Sequence, residues 1–71
     1  MQNIYLKPIH KKILDMLIMG KSREAIAGKF SIKIGTVNSY VRDMNANNEC
    51  NIYQLIWMYA QLGDRYIIKY I

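Results

Sequence analysis

At 71 residues the chain has room for about one domain, and a domain this short buries only about 60% of the surface its unfolded form exposes. Hydrophobic residues at 52% against 21% charged mark a globular composition and exclude a disordered one. Ten Lys and Arg against five Asp and Glu leave a net charge of +5, which suits a polyanionic partner.

Lone Cys50 and lone His10 exclude an intramolecular disulfide, a zinc cluster and a Cys-His nucleophile, so neither metal, cofactor nor catalysis is expected. No apolar run approaches the ~20 residues of a membrane span. The first apolar stretch is interrupted by Lys7, His10, Lys11 and Lys12, unlike a signal peptide. A soluble, cytoplasmic chain with neither membrane nor small-molecule substrate is the expectation.

Four helices follow from periodicity and breakers. The first spans about Pro8 to Met19, with Pro8 suited to the opening position and Gly20 to a left-handed stop. Ile9, Ile13, Leu14, Met16 and Leu17 form its apolar face. Lys7 is a poor cap, so its start is expected to be weak, and His10 is read as a surface residue or a minor helix partner. The second spans about Arg23 to Phe30, capped by Ser22, with Ala25, Ile26, Ala27 and Phe30 inward.

After the turn Ser31-Ile32-Lys33, the third helix spans about Ile34 to Ala46. Val37, Tyr40, Val41 and Met44 share one face; Gly35, Asn38, Ser39 and Arg42 fall towards the other. Asn45 to Asn51 is rich in turn formers. The fourth helix spans about Ile52 to Leu62, opened by the capping spacing Asn51 to Gln54 and stopped by Gly63. It is apolar on most sides, and a chain this small cannot surround it, so part of that surface is expected to meet another subunit. Cys50 reads as a small apolar filler. The tail from Asp64 to Ile71 is aromatic and β-branched, which favours a strand, although it could equally continue the helical pairing.

Between Lys21 and Arg42 stand five basic residues (Lys21, Arg23, Lys29, Lys33, Arg42) against one acid, Glu24. An ordinary solvated basic surface carries such charge too. The order of helix, short turn and helix adds direction, because it is the signature of a helix-turn-helix reader of DNA. A helix entering the major groove needs a thin outward face of donors and acceptors, and Asn38, Ser39 and Arg42 supply one. Gly35 and Thr36 are small enough for close approach. Ser22, Arg23, Lys33 and Thr36 flank the helix start, where free N–H groups suit phosphate.

These residues resemble a known family. Leu6-Lys7-Pro8, then Ile13-Leu14, Leu17, Gly20, Ser22, Ile26-Ala27, Phe30, Ile32 and Gly35-Thr36-Val37, and later Asn51-Ile52-Tyr53-Gln54-Leu55, look like the LuxR/GerE-type helix-turn-helix domain. The core pattern also occurs in region 4 of sigma factors; the Leu-x-Pro element and the helix after the third favour the LuxR type.

The resemblance implies an all-α, four-helix domain over residues 1–63, followed by a tail over 64–71. Such a domain dimerises on promoter DNA through its last helix and regulates transcription. Base contacts would fall on Asn38, Ser39 and Arg42, and phosphate contacts on Ser22, Arg23, Lys33, Thr36 and Tyr40. The homodimer contact would use Tyr53, Ile56, Trp57 and Tyr59. Where the family carries Glu, this chain has His10, so the first helix is expected to lose its usual cap. Lys33 replaces a capping Ser and cannot accept an N–H. Asn38 replaces a lysine and, as a neutral amide, could read adenine rather than guanine. The alternative reading is a protein-interaction module that heterodimerises with, or modulates, a larger transcription regulator through the apolar fourth helix.

Overall fold

The computed structural model describes residues Met1–Ile71. Its elements are β1 (Gln2–Leu6), α1 (Pro8–Ile18), α2 (Arg23–Phe30), α3 (Ile34–Asn47), α4 (Ile52–Ala60) and β2 (Tyr66–Tyr70). The four helices lie where periodicity put them, with ends moved by one or two residues. The all-α expectation is overturned. The chain's two ends form a parallel two-stranded sheet in which Gln2 pairs with Tyr66, Ile4 with Ile68 and Leu6 with Tyr70, so the fold is mixed α/β.

The tail is therefore a strand, and its partner is a segment in which periodicity had indicated no element. Ile4 and Leu6 alternate with outward Tyr5 and are fully buried, joining Ile13, Leu14, Ile26, Val37, Met44 and Leu55 in one core. An isolated parallel pair lacks enough buried surface to persist in water; here β1 packs on α1 and α3. Gly63, at φ 84, turns the chain from α4 into β2, and its N–H donates to Tyr66 O at 2.8 Å. No helix is long and apolar enough to cross a membrane.

Capping follows side-chain chemistry. Ser22 Oγ accepts from the Ala25 N–H at 3.1 Å. Asn51 and Gln54 make both reciprocal bonds of a capping box, at 2.8 and 2.9 Å. Lysine has no acceptor, so neither Lys7 nor Lys33 caps its helix through its side chain.

At α1 the missing acceptor is supplied from the third helical position, where His10 Nδ1 accepts from the Lys7 N–H at 3.2 Å. This corrects two expectations. The first helix keeps a capping bond, and His10 is buried rather than on the surface. Burial pushes the His10 pKa below 6.5, aided by Lys7 and opposed by Asp43. The neutral ring then carries its proton on Nε2. Ala25, expected inward, is exposed, because Ile26 and Ala27 carry the buried side of α2.

Two polar links tie elements of the fold together. The Asn48 side chain, at the end of α3, accepts from the Tyr5 N–H at 2.7 Å. It also donates to Tyr5 O and to Met44 O, each at 2.9 Å. Its carboxamide thus occupies the edge of β1 that β2 leaves open. In α1, Asp15 accepts from Tyr59 OH and pairs with Lys11 Nζ at 3.0 Å, tying α4 to α1. Partial burial pushes the Asp15 carboxyl up, but the Tyr59 hydroxyl and Lys11 outweigh it and hold the pKa below its usual value. Burial and the Asp15 bond push the Tyr59 pKa upward.

Candidate nucleic-acid interface

The turn Ser31–Lys33 joins α2 to α3. Ser31 takes the left-handed conformation at φ 55, and its N–H donates to α2 carbonyls, which stops the helix and redirects the chain. Val37, Val41 and Met44 anchor α3 on the core. At 100° per residue, the direction opposite that stripe is occupied by Gly35, Ser39, Arg42 and Ala46. Gly35, Arg42 and Ala46 are exposed and Ser39 half-buried, and exposed Asp43 stands at the edge of the same face, so the outward side of α3 combines small residues with one long cation and one carboxylate.

Two of the expected base contacts are linked along this ridge. Ser39 Oγ donates to Gly35 O at 3.0 Å and accepts from Arg42 Nη2 at 3.2 Å. The serine hydroxyl thus spends its proton on its own helix, and its oxygen steadies the guanidinium.

Asn38 lies on the flank facing α2, where its Oδ1 accepts from Arg23 Nη1 at 2.6 Å. Arg23, expected on phosphate, is half-buried and bridges α2 to α3. Tyr40 stands on the other flank, edge-on to His10 with ring centroids 6.0 Å apart. Thr36, one helical turn before Tyr40, shares that flank and is half-buried. Sequence reasoning named Asn38 and Arg23 separately. It missed their contact, because the two are fifteen residues apart and only the helix crossing brings them together.

Phosphate chemistry is available at the start of α3. With Lys33 unable to cap, the N–H groups of Ile34 and Gly35 have no partner within the chain, and the helix dipole adds partial positive charge there. Exposed Lys33 adds a full charge. The hydroxyl proton of exposed Ser22 is also uncommitted, since its oxygen acts only as acceptor. The ion pair between Lys11 and Asp15 is the only one in the protein, so all five basic residues from Lys21 to Arg42 lack an acidic partner. The surface holds no pocket, and the face is an open ridge.

The four residues expected at a subunit contact divide. Tyr53 is 81% and Trp57 52% exposed, one helical turn apart on α4. The Trp57 ring meets Tyr66 of β2 edge-on at 6.5 Å. Ile56 is half-buried. Tyr59 is buried within its own chain and bonded to Asp15, so its surface is already used by the fold. Cys50 is half-buried against the core, and burial pushes its thiol pKa up.

No protein-family profile matches the chain, and comparison with curated proteins and with solved structures returns no match.

Proposed function

We propose that this chain is a sequence-specific DNA-binding transcriptional regulator of the LuxR/GerE type, or the DNA-binding domain of one, acting in the cytoplasm. It lays α3 in the major groove of double-stranded DNA. The observation that carries this reading is the outward ridge of α3: Arg42 steadied on Ser39, Asn38 beside it, unpaired N–H groups at the helix start, and basic residues without acidic partners.

A polyanion neutralises such charge, and the groove admits one helix of this kind. Arg42 and Asn38 read base edges. Ser39 sets the direction of Arg42 and offers its remaining lone pair. Lys33, Ser22 and the start of α3 hold phosphates. Arg23 and Thr36 border that contact, and Tyr40 supports the helix from the opposite flank.

The exposed pair Tyr53 and Trp57, with Ile56 beside them, supports a second contact: two chains joined along α4 that read a pseudo-palindrome. The same exposed aromatics favour, as the alternative, a heterodimer with a larger regulator.

The test is selection from randomised duplex DNA at two salt concentrations, with sedimentation of the free protein. An enriched palindrome and a dimer are expected. Arg42→Ala is expected to lower binding to the enriched site more than binding to random DNA. Equal loss on both would reduce Arg42 to a phosphate contact. Weak binding with no enriched sequence would defeat the regulator reading and turn attention to α4.

A further inference from the structure

The two edges of the sheet are finished differently. The Gln2 N–H donates to Arg65 O and the Ile71 N–H to Leu6 O, each at 3.0 Å. In a parallel ladder of this register, Arg65, Ile67, Lys69 and Ile71 therefore turn their backbone groups towards β1, while Tyr66, Ile68 and Tyr70 turn theirs outward. The turn after α4 meets those of Tyr66, whose N–H donates to Gln61 O and whose carbonyl accepts from the Gly63 N–H. The N–H and C=O groups of Ile68 and Tyr70 have no partner within the chain. On the far edge, by contrast, Asn48 occupies both backbone groups of Tyr5.

Burial shows the same asymmetry. Leu6 and Tyr70 are register partners and share the inward face of the sheet, yet Leu6 is fully buried and Tyr70 is 53% exposed. The core continues beneath β1 and stops under β2. A third strand beside β2 would pair with Ile68 and Tyr70 and lay an inward side chain against the Tyr70 ring.

The one charge in β2 decides which strand is admitted. Lys69 is exposed and has no acidic partner. A second copy that pairs antiparallel about a two-fold axis, Ile68 with Tyr70 and Tyr70 with Ile68, sets Lys69 directly against Lys69. Like charges so placed are destabilising, and each copy brings a net charge of +5. A lysine on an edge strand is a common guard against such self-pairing. A strand with a carboxylate at that position gains a cross-strand ion pair instead.

We propose that the free edge of β2 docks an extended segment of a partner protein, with Asp or Glu opposite Lys69 and apolar residues on either side of it, and that Lys69 keeps two copies of this chain from pairing there. The docking uses no residue of α3 or α4, so it stands or falls independently of the DNA-reading role.

The probe is the peptide Thr-Val-Glu-Val-Thr with blocked ends, which reads the same in either strand direction. Its Glu falls opposite Lys69 and its two Val opposite Ile68 and Tyr70. Titrated into the isotope-labelled native chain, it is expected to shift the amide signals of Ile68 and Tyr70 and to slow their hydrogen exchange. Lys in place of the Glu is expected to weaken binding about fivefold, the scale of one cross-strand charge pair. Lys69→Glu is expected to invert that preference, with a thermal melt showing that the variant is folded. Pro in place of both Val keeps the charge, removes two strand N–H groups and is expected to abolish binding.

Signal shifts confined to other residues, or none at millimolar peptide, overturn the docking site. Equal binding of the Glu and Lys peptides overturns the role of Lys69. Full binding of the Pro peptide reduces the contact to general attraction by a basic protein and overturns strand pairing. A native dimer in which the Ile68 and Tyr70 amides already exchange slowly overturns the proposal in favour of a second copy.

Discussion

Two glycines give a paired test of whether the start of α3 meets DNA. Gly28 lies in α2 and Gly35 at the second position of α3. Neither has a positive φ, and a Cβ built at either meets nothing within 4 Å. The fold itself therefore has no need of glycine at either place. In a helix interior, Gly costs about 1 kcal/mol relative to Ala. For a domain of this size 1 kcal/mol moves Tm by roughly 4–8 °C. Gly28→Ala is expected to raise Tm by about that amount. Gly35→Ala is expected to raise it by about half, since the first turn of a helix is held by fewer bonds.

Binding should separate the two variants. A methyl group at Gly35 projects from the outward ridge, where the backbone is expected to approach the groove. A new methyl forced into a packed contact costs about 1–3 kcal/mol, which is roughly fivefold to 150-fold in affinity. Gly28→Ala, five residues beyond Arg23 on α2, is expected to bind as tightly as the native chain. Thermal melts followed by circular dichroism and anisotropy titrations on the selected duplex measure both effects. If Gly35→Ala is stabilised and binds as tightly as Gly28→Ala, the start of α3 does not touch DNA and the placement of the ridge is refuted.

Other outcomes follow from bonds within the fold. Tyr59→Phe removes the hydroxyl that Asp15 accepts from; about 1 kcal/mol of stability is expected to go. Because the Asp15 pKa is lowered in the fold, its contribution is present above the unfolded value of 3.8 and fades as pH falls through the folded one. The Tm gap between Tyr59→Phe and the native chain should therefore close in acid, and a gap constant down to pH 2 would count against the link. His10 has a pKa lowered from 6.5, so the unfolded chain takes up its proton first. Stability should be full above about pH 6.5 and decline below it until the folded pKa is passed. His10→Gln retains an acceptor and should flatten that slope in urea titrations across the range. Removing residues 64–71 strips β2 from β1, whose Ile4 and Leu6 are fully buried. Exposing such side chains costs about 1.5–3 kcal/mol each, comparable to the whole stability of a small domain. Residues 1–63 alone are expected to lose their cooperative melt, and a Tm within a few degrees of the full chain would show that the sheet is dispensable.

The helices were legible because each carries its own punctuation. Ser22 and Asn51 cap the helices that follow them, Gly20 takes the left-handed φ expected after α1, and the apolar spacings of α1 and α3 point into the core. The sheet was not legible in the same way. Ile4 and Leu6 make only two inward positions, too few for a period, and what makes them a strand is a partner more than sixty residues away. A parallel pair joining the two ends has no turn sequence to announce it. His10 was misread for a related reason: a lone histidine beside two lysines looks exposed. Its burial follows from its place at the third position of α1, where Nδ1 can return to the Lys7 N–H.

For the candidate interface, residue identity was readable and side-chain commitment was not. Asn38, Ser39 and Arg42 were picked out as outward polar groups on α3. The bonds that orient them were not: Asn38 accepts from Arg23 across the helix crossing, and Arg42 donates to Ser39 within α3. The sheet bears on the same helix from its far end. Asn48, at the end of α3, is clamped to the backbone of Tyr5 in β1, about 20 Å along the axis from Ile34 at 1.5 Å per residue. If α3 enters a groove as proposed, groups on its reading side are best left free for DNA, and only the Asn38 bond to Arg23 ties that side to α2. The rest of its angle is set by the buried stripe and by the opposite end. In this chain the second of those supports is the strand formed by residues that the helical pattern had passed over.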